Sequence, residues 1–305
     1  MACAAWAVDQ NSITVKPAAD RNTIMINQLY PDLFTGSLTY AEIAELPEGI
    51  LIKSSDITVT KTDITSQIAK APQNIQEQLK KNEFFFVEQF STQKFLLAMA
   101  KKDASDNNTM PLGKTDDEII QTYLEKLAKQ MPINVTDQEV QQFYEENKDA
   151  CGGAALDQMK DQIKNYVLAQ KQQTAVNDYL KTLGQRLPIK VSSIWAREQS
   201  VLAKDNPVDK ARASGKPSVV DFGATGCRPC DMMAPILTTL KEKYAGKANV
   251  LFVHVREEQI LASRYGVQSI PIQVFFDRDG KEIFRHVGFY PQAEIEKKLT
   301  EMGPK

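Results

Sequence analysis

The spacing of apolar residues changes along the chain and divides it into three stretches. Up to about residue 48 prolines and glycines interrupt the apolar positions, which predicts an irregular lead-in. The segment ILIKSSDITVT, from Ile50, mixes apolar residues with Ser and Thr as one or two short strands do. From Thr62 apolar residues recur every three or four positions, which predicts amphipathic helices. After Ser193 short apolar runs alternate with helical segments.

Local signals mark the ends of several helices in the middle stretch. Thr115 precedes Glu118 by three residues, as Thr136 precedes Glu139, and both pairs have the form of a capping box. Gly184 follows the long run ALDQMKDQIKNYVLAQKQQTAVNDYLKTL and is expected to end that helix. The segment LPIKVSS then predicts a short strand. The apolar-rich FFFVEQF and FLLAMA are expected to be mostly core, although exposed surface of this kind would suit unfolded chains.

The last stretch predicts alternating strands and helices. Asn206 and Pro207 are the cap and first residue of a helix, and the apolar SVVDFGA has the pattern of a buried parallel strand. A helix from Cys227, the strand NVLFVHV, the short helix EQILASRYG, a hairpin around Asp279-Gly280 and the closing helix PQAEIEKKLTEM follow. The order β-α-β-α-β-β-α predicts a mixed central sheet flanked by helices. The expected fold is therefore a mainly helical part followed by an α/β domain.

Composition narrows the classes of protein. A chain of 305 residues with 42% hydrophobic and 25% charged residues can form two globular domains. Its formal net charge of −2 gives no reason to expect a nucleic-acid partner. No apolar run in the sequence approaches the roughly 20 residues that a membrane-spanning helix needs.

The first seven residues, MACAAWA, are small and apolar, and Ala5-Trp6-Ala7 fits the A-x-A pattern of signal-peptidase cleavage. The charged start and the longer apolar stretch of a full signal peptide are missing. We interpret residues 1–7 as the remnant of an export signal, with Val8 as the mature start, which predicts a periplasmic or otherwise exported protein. The alternative is a cytosolic chain that begins with alanines.

Four cysteines are present, and only two of them are close in sequence. Cys3 falls in the expected signal remnant, and Cys151 lies in a turn-like segment without a neighbour at motif spacing. Cys227 and Cys230 form a single pair, which is too few for a disulfide scaffold.

The expected position of the pair at a helix start favours redox chemistry. There, free N–H groups and the helix dipole favour a thiolate at Cys227, and Cys230 is one turn further on, within reach of a disulfide. A nucleophilic and a resolving thiol are what thiol–disulfide exchange requires. Arg228 adds positive charge, and Pro229 removes one N–H and stiffens the turn.

Two other interpretations of the pair are weaker. A metal site needs further ligands, and neither of the two histidines, His254 and His286, stands at finger-like spacing from the cysteines. A purely structural bridge closing so short a loop would restrain the unfolded chain little. We therefore expect no metal and no cofactor other than the redox-active disulfide itself.

Longer segments around the pair resemble a known family. VVDFGATGCRPCDMMAPILTTL is similar to the active-site strand and helix of thioredoxins, and YGVQSIPIQVFFDRDGKEIFRHVG is similar to the rest of that fold. The resemblance covers roughly residues 196–305. It implies a thiol–disulfide oxidoreductase in which Cys227 attacks and Cys230 resolves.

The resemblance also implies roles for five further residues. Pro271 matches the family's cis-proline, packed across from the disulfide, and Ile270 before it would offer backbone contacts to the substrate strand. Gly288 matches a glycine of the substrate groove, and Pro235 the proline that kinks the active-site helix. Asp221 matches the buried acid beneath the resolving cysteine, where a carboxylate of raised pKa could take its proton. A capped or solvated aspartate is the alternative for Asp221.

Some positions depart from the family pattern. Gly223 and Gly226 stand where thioredoxins usually have tryptophans, which predicts a more open rim beside the disulfide. Phe252 stands where a lysine usually pairs with the buried acid, which predicts an unpaired acid of still higher pKa. The proline of Cys-Arg-Pro-Cys and the Ile before Pro271 favour a reductant, without fixing the direction of electron flow.

The helical segments resemble a second family. DITVTKTDI, VTDQEVQQFYEENK and the long helical run followed by LPIKV, within about residues 50–192, are similar to the helical chaperone portion of SurA/PrsA-type periplasmic folding factors. No stretch is similar to their parvulin domain, so isomerase activity is not implied. The resemblance implies a cradle for unfolded polypeptide.

These expectations define four segments and a function. They are a signal remnant (1–7), an irregular lead-in with short strands (8–55), a helical SurA-like peptide-binding domain (56–192) and a thioredoxin-like domain (196–305). The protein is expected to exchange disulfides with unfolded or disulfide-bearing exported proteins, and a membrane electron donor or oxidant would reset it. The alternative is a periplasmic holdase whose thioredoxin unit serves mainly for docking.

Overall fold

A computed structural model describes residues 23–303 apart from 32, 34–35, 56, 108, 110–112, 147 and 149–153. The expected signal remnant, Cys3 and Cys151 lie outside the described residues. Within the described residues, no helix has the length and apolar character needed to cross a membrane.

The N-terminal part combines a small sheet with helices. Its strands are β1 (Glu42–Ala44), β2 (Ile50–Lys53), β3 (Thr58–Thr60) and β4 (Lys190–Ser192), in the order β1-β4-β2-β3. β4 pairs in parallel with β1 and antiparallel to β2. The lead-in and the strand that follows the helices therefore form one sheet. The predicted boundary at residue 55 does not divide the structure, because strands from both sides of it are paired.

Nine α-helices of the described residues belong to this part, together with a 3₁₀ helix at Gly36–Leu38. They are α1 (Ile26–Leu29), α2 (Lys61–Ile68), α3 (Gln73–Lys81), α4 (Glu83–Asp106), α5 (Asp116–Gln130), α6 (Asp137–Glu146), α7 (Leu156–Lys181), α8 (Leu183–Arg186) and α9 (Ser193–Leu202). Both predicted capping boxes are confirmed, because the Thr115 and Thr136 backbone N–H groups donate to Glu118 and Glu139 at 2.7 and 2.8 Å and the threonine hydroxyls accept in return.

The prediction that Gly184 ends the long helix is wrong. α7 ends at Lys181, and Gly184 lies inside the short α8. Its missing side chain serves a close contact, since a Cβ there would lie 2.7 Å from the Tyr40 carbonyl carbon. The glycine thus allows α8 to pack against the lead-in.

Helix α9 was not predicted, and it packs with the N-terminal part. Trp195 is buried in the first core, its ring stacked on Phe84 with the centroids 5.2 Å apart, and its indole N–H donates to Glu83 at 2.8 Å. Ala196 and Ala203 belong to the same core. Residues 196–203, which the sequence assigned to the last domain, therefore pack against the helical part through Ala196 and Ala203, whereas Val201 and Leu202 are exposed.

The C-terminal part has the predicted order of elements. These are α10 (Pro207–Arg212), β5 (Ser218–Gly223), α11 (Arg228–Lys243), β6 (Asn249–His254), α12 (Gln259–Arg264), β7 (Ile272–Phe276), β8 (Glu282–Val287) and α13 (Gln292–Glu301). The sheet order is β6-β5-β7-β8, with β5 parallel to β6 and antiparallel to β7. One core cluster packs α11 and α13 on one face, and a second packs α10 and α12 on the other. The predicted fold class, a mainly helical part followed by a mixed sheet flanked by helices, is confirmed.

The two parts meet where α12 lies against α3. The Gln78 side chain donates to the Glu257 carbonyl at 2.8 Å and accepts from the Ile260 N–H at 3.1 Å. Arg264 donates to the Ala203 carbonyl at 2.7 Å. Arg264 also pairs with the buried carboxylate of Asp209 at 2.8 Å. The bonds of Gln78 and the bond to Ala203 join α12 and the residues just before it to the helical part, whereas the pair with Asp209 lies within the C-terminal part.

Candidate active site

The two cysteines lie where β5 gives way to α11. All six residues of β5 are buried, and the chain turns through Gly226, whose φ of +75° favours glycine. Cys227 is the residue before the first turn of α11, and a disulfide joins it to Cys230, with the Cα atoms 5.2 Å apart. Cys227 is half-buried, whereas Cys230 is buried. An incoming sulfur atom can therefore approach Cys227, at the positive end of the helix, more easily than Cys230.

The helix that carries the cysteines has the proline positions that the sequence indicated. Arg228 is its exposed first residue, and Pro229 is the second. In the first turn of an α-helix the backbone N–H has no acceptor within the helix, so the N–H that proline lacks costs nothing there. Pro235 lies inside the helix and removes one hydrogen bond there.

Asp221 lies in the middle of β5 with no exposed surface. The Gln273 amide on β7 donates to its Oδ1 at 2.6 Å, and Oδ2 has no hydrogen-bond partner among the described residues. Burial raises the pKa of Asp221 from 3.8 to about 6, and the hydrogen bond from Gln273 partly opposes this. The structure excludes a solvated aspartate, and Phe252 stands opposite Asp221 on the neighbouring strand, where the family usually has a lysine. The donor that Asp221 has among the described residues is the neutral amide of Gln273.

The free oxygen of Asp221 and the resolving cysteine both lie beside Gly223. A Cβ added at Gly223 would lie 3.4 Å from Asp221 Oδ2 and 3.3 Å from Cys230 Cβ. Both groups thus border the same small space beneath the disulfide. A carboxyl that changes protonation near neutral pH, placed there, can exchange a proton with the Cys230 thiol.

The predicted open rim is correct on one side only. Within the described residues nothing lies within 4 Å of a Cβ built on Gly226. At Gly223, however, the ring of Phe252 occupies the space, with Cε2 2.9 Å from the position of a Cβ. The prediction of an opening at Gly223 is therefore wrong, because a side chain from the neighbouring strand β6 fills it.

The remaining predicted site residues lie at the end of β7. The Ile270–Pro271 peptide bond is cis, and Pro271 is buried. The Pro271 carbonyl accepts from the Gly288 N–H at 2.7 Å, and Gly288 has a φ of +100°. Ile272, the next residue, pairs with Phe222 on β5, so this corner of the sheet adjoins the loop that carries the disulfide.

Sequence reasoning missed two polar residues of the site. Gln273 is a polar residue within the apolar run PIQVFF, and that contrast could have indicated a buried partner. His254 accepts from the Thr225 N–H at 3.2 Å and holds the loop before Cys227. No group of three His, Cys, Asp or Glu side chains able to hold a metal ion occurs in the described part of the chain.

A thioredoxin-type sheet with a cysteine pair at the start of its first long helix defines a thiol–disulfide oxidoreductase. A family model described as a thioredoxin-like domain matches residues 205–303. Thioredoxin from Staphylococcus epidermidis is 40% identical over 95 residues, which is 31% of this chain and 89% of the relative. Thioredoxin from Staphylococcus aureus is 43% identical over 77 residues, which is 25% and 73%.

Solved structures include a similar protein, thioredoxin NaTrxh from Nicotiana alata. It is 34% identical, and the match covers 31% of this chain and 80% of that one, with a TM-score of 0.29. The identity to the staphylococcal thioredoxins, over most of their length, shows that the chain belongs to the thioredoxin family through its C-terminal third. The protein is a thiol–disulfide oxidoreductase.

Proposed function

We propose that the protein reduces disulfides in exported client proteins through Cys227 and Cys230, and that its helical part binds those clients. The observation that carries the redox proposal is the asymmetry of the pair. Cys227 is accessible at a helix N-terminus, and Cys230 is buried next to an acid whose pKa is raised to about 6. In such a pair one thiol can attack a client disulfide, and the other can resolve the mixed disulfide and release the client.

In the proposed reaction the reduced protein acts first through Cys227. Its thiolate attacks one sulfur of a client disulfide, which forms a Cys227–client bond and releases the other client sulfur as a thiolate. Cys230 then gives its proton to the Asp221 carboxylate and attacks the Cys227 sulfur. The Cys227–Cys230 disulfide forms, the second client thiolate leaves, and two electrons have passed to the client. A dithiol donor at the membrane would restore the pair.

The client strand would lie along the corner formed by Ile270, Pro271 and Gly288. Ile270 is half-buried, so its backbone can meet an extended peptide beside the disulfide. Arg228, exposed next to Cys227, adds positive charge that favours the attacking thiolate.

The helical part supports client binding through its attachment to the redox part. Gln78 and Arg264 hold α12 against the helical part, so that a client bound to the helices would stay near the disulfide at a raised effective concentration. Phe86 and Phe90 of the apolar-rich α4 are only partly buried and offer apolar surface. The resemblance to SurA-type chaperones is part of this proposal.

Measuring the reduction potential of the full-length protein in defined thiol buffers tests the redox direction. A potential of about −270 mV would support a reductant, and one of about −120 to −180 mV would indicate an oxidant or isomerase. Without a reversible couple the redox proposal fails.

A Cys230→Ser variant separates the enzyme from the holdase. It should accumulate mixed disulfides with clients on Cys227, whereas Cys227→Ser should accumulate none and still bind unfolded chains. Full in vivo function of Cys227→Ser would support the holdase with a docking thioredoxin unit. Export, proposed from the N-terminal sequence, requires Val8 to be the first residue of the mature protein, which N-terminal sequencing would determine.

A further inference from the structure

Phe252 lies across from Asp221 on β6, an outer strand of the sheet. The two residues are register partners in the parallel pair of β5 and β6. On the other side of β5 the register partner of Asp221 is Gln273, which donates a hydrogen bond. Phe252 has only an apolar ring to offer. The carboxyl therefore has a polar neighbour on one strand and an apolar neighbour on the other.

The Phe252 ring is held in a defined place. Its Cε2 occupies the space that a Gly223 side chain would need, at 2.9 Å from that Cβ position. Its ring also meets the ring of His254 edge to face, with centroids 6.2 Å apart. His254 in turn accepts from the Thr225 N–H. Glycine at 223 and phenylalanine at 252 are thus a matched pair beside the disulfide.

The Phe252 ring and the free oxygen of Asp221 border the same space beside Gly223, 2.9 and 3.4 Å from the position that a Cβ would take there. Phe252 is 49% exposed, whereas Asp221 has no exposed surface and its Oδ2 has no donor among the described residues. We propose that Phe252 is a positioning residue: its ring covers the free oxygen of Asp221 against water and so determines the pH at which that acid gives up its proton. This rests on the proposed role of Asp221 as the proton acceptor for Cys230.

Other groups that can change charge lie on the side of the sheet that carries Asp221. His254 lies on the same face of β6, His286 on the same face of β8 through its pairing with Gln273, and Cys230 on α11. Arg228 and Asp231 of α11 are exposed to solvent. All of these groups are retained when Phe252 alone is replaced, so a change in the titration of Asp221 would report on the ring.

The test is a ¹³C NMR titration of the reduced full-length protein labelled at aspartate Cγ, from about pH 4 to pH 9. Asp221→Asn identifies the Asp221 resonance. Phe252→Ala should lower the proton affinity of Asp221 about tenfold, because water then solvates the carboxylate. Phe252→Leu keeps an apolar cover and should titrate as the wild type does.

A double variant and a control sharpen the test. In Gly223→Ala/Phe252→Ala the new methyl group would lie 3.4 Å from Asp221 Oδ2 and should restore part of the proton affinity. Ile283→Ala removes another half-exposed side chain, at the irregularity of the outer strand β8, and should change nothing. A wild-type titration in Phe252→Ala, or an equal change in Phe252→Leu, would overturn the proposal.

The role of Asp221 is tested separately by the rate at which Asp221→Asn resolves a mixed disulfide. If that rate equals the wild-type rate while Phe252→Ala still moves the titration, the proton-acceptor role fails and the covering role of Phe252 stands. If Asp221→Asn is slow but Phe252→Ala titrates normally, the covering role fails alone.

Discussion

The N-terminal and the C-terminal part of the molecule each bury a carboxyl group, and the two carboxyl groups receive different numbers of hydrogen bonds. Glu88 on α4 is 3% exposed, and Asp221 on β5 has no exposed surface. The Ser37 N–H donates to Glu88 Oε1 at 2.8 Å, the Thr92 hydroxyl lies 2.8 Å from the same oxygen, and the Gln89 amide donates to Oε2 at 2.6 Å. Asp221 receives one donor and keeps one oxygen free.

Burial raises the pKa of both acids, so burial alone does not distinguish them. The donors do. Glu88, with donors on both oxygens, joins α4 to the turn that contains Ser37 and acts as a structural link. Asp221, with a free oxygen at the space beside Gly223 that Cys230 also borders, can take up and release a proton. A buried carboxyl group that keeps one oxygen without a donor, next to a reactive sulfur, indicates a role in proton transfer.

The largest expected effect is on the stability of the helical part. Glu88→Ala leaves the Ser37 N–H and the Gln89 amide without their acceptor and opens a cavity, so we expect a loss of about 4 kcal/mol in the free energy of unfolding. Trp195, buried in the same core, reports this unfolding by its fluorescence. Glu88→Gln should lose less, and a loss below about 1 kcal/mol for Glu88→Ala would contradict the structural role.

Asp221→Asn should increase the free energy of unfolding at neutral pH, whereas Glu88→Ala decreases it. The pKa of Asp221 rises from 3.8 to about 6 on folding, so its contribution to stability is complete below about pH 3.8 and is lost as the pH rises through about 6. At neutral pH the ionised acid therefore costs about 3 kcal/mol, which asparagine would recover. Urea unfolding of oxidised wild type and variant at acidic and neutral pH would show this, and a variant less stable than wild type at neutral pH would contradict it.

The sequence predicted local structure better than it predicted the pairing of distant segments. Local signals were reliable, because the capping boxes at Thr115 and Thr136 and the helix start at Asn206-Pro207 depend on residues a few positions apart. The cysteine pair at a helix start could be placed for the same reason. The strand β4 was expected, but its insertion between β1 and β2 was not, since three-residue strands carry no alternation that specifies a partner.

The environment of Asp221 shows where sequence reasoning failed. Its donor Gln273 is 52 residues away, and its cover Phe252 was assessed only as a missing lysine. That Phe252 fills the space left by Gly223 depends on the register of two parallel strands, which the sequence does not state. The residues that tune a reactive group are contributed by neighbouring strands, so they emerge only when the strands are paired.

Replacing Gly36 tests how tightly the Glu88 site is packed. A Cβ at Gly36 would overlap the Glu88 carboxylate, and the φ of +43° already favours glycine. Gly36→Ala should cost about 2 kcal/mol in the free energy of unfolding. Gly49→Ala is the matched control, because Gly49 also has positive φ, at +79°, but no described atom lies within 4 Å of its Cβ position. Equal losses for the two variants would mean that backbone strain alone is responsible.

Gln273→Met should give the smallest effect, because it removes one hydrogen bond and keeps the volume. Without its donor, the carboxylate of Asp221 is less stable, so its pKa should rise above about 6, by the equivalent of about 1 kcal/mol. A base of higher pKa accepts a proton more readily but is ionised in a smaller fraction of molecules. Resolution of a mixed disulfide should therefore slow at about pH 6 and change little at about pH 8. Quenched-flow measurements of that step across this range would show the displaced profile, and a uniform slowing at every pH would mean that Gln273 acts only on the geometry of the site.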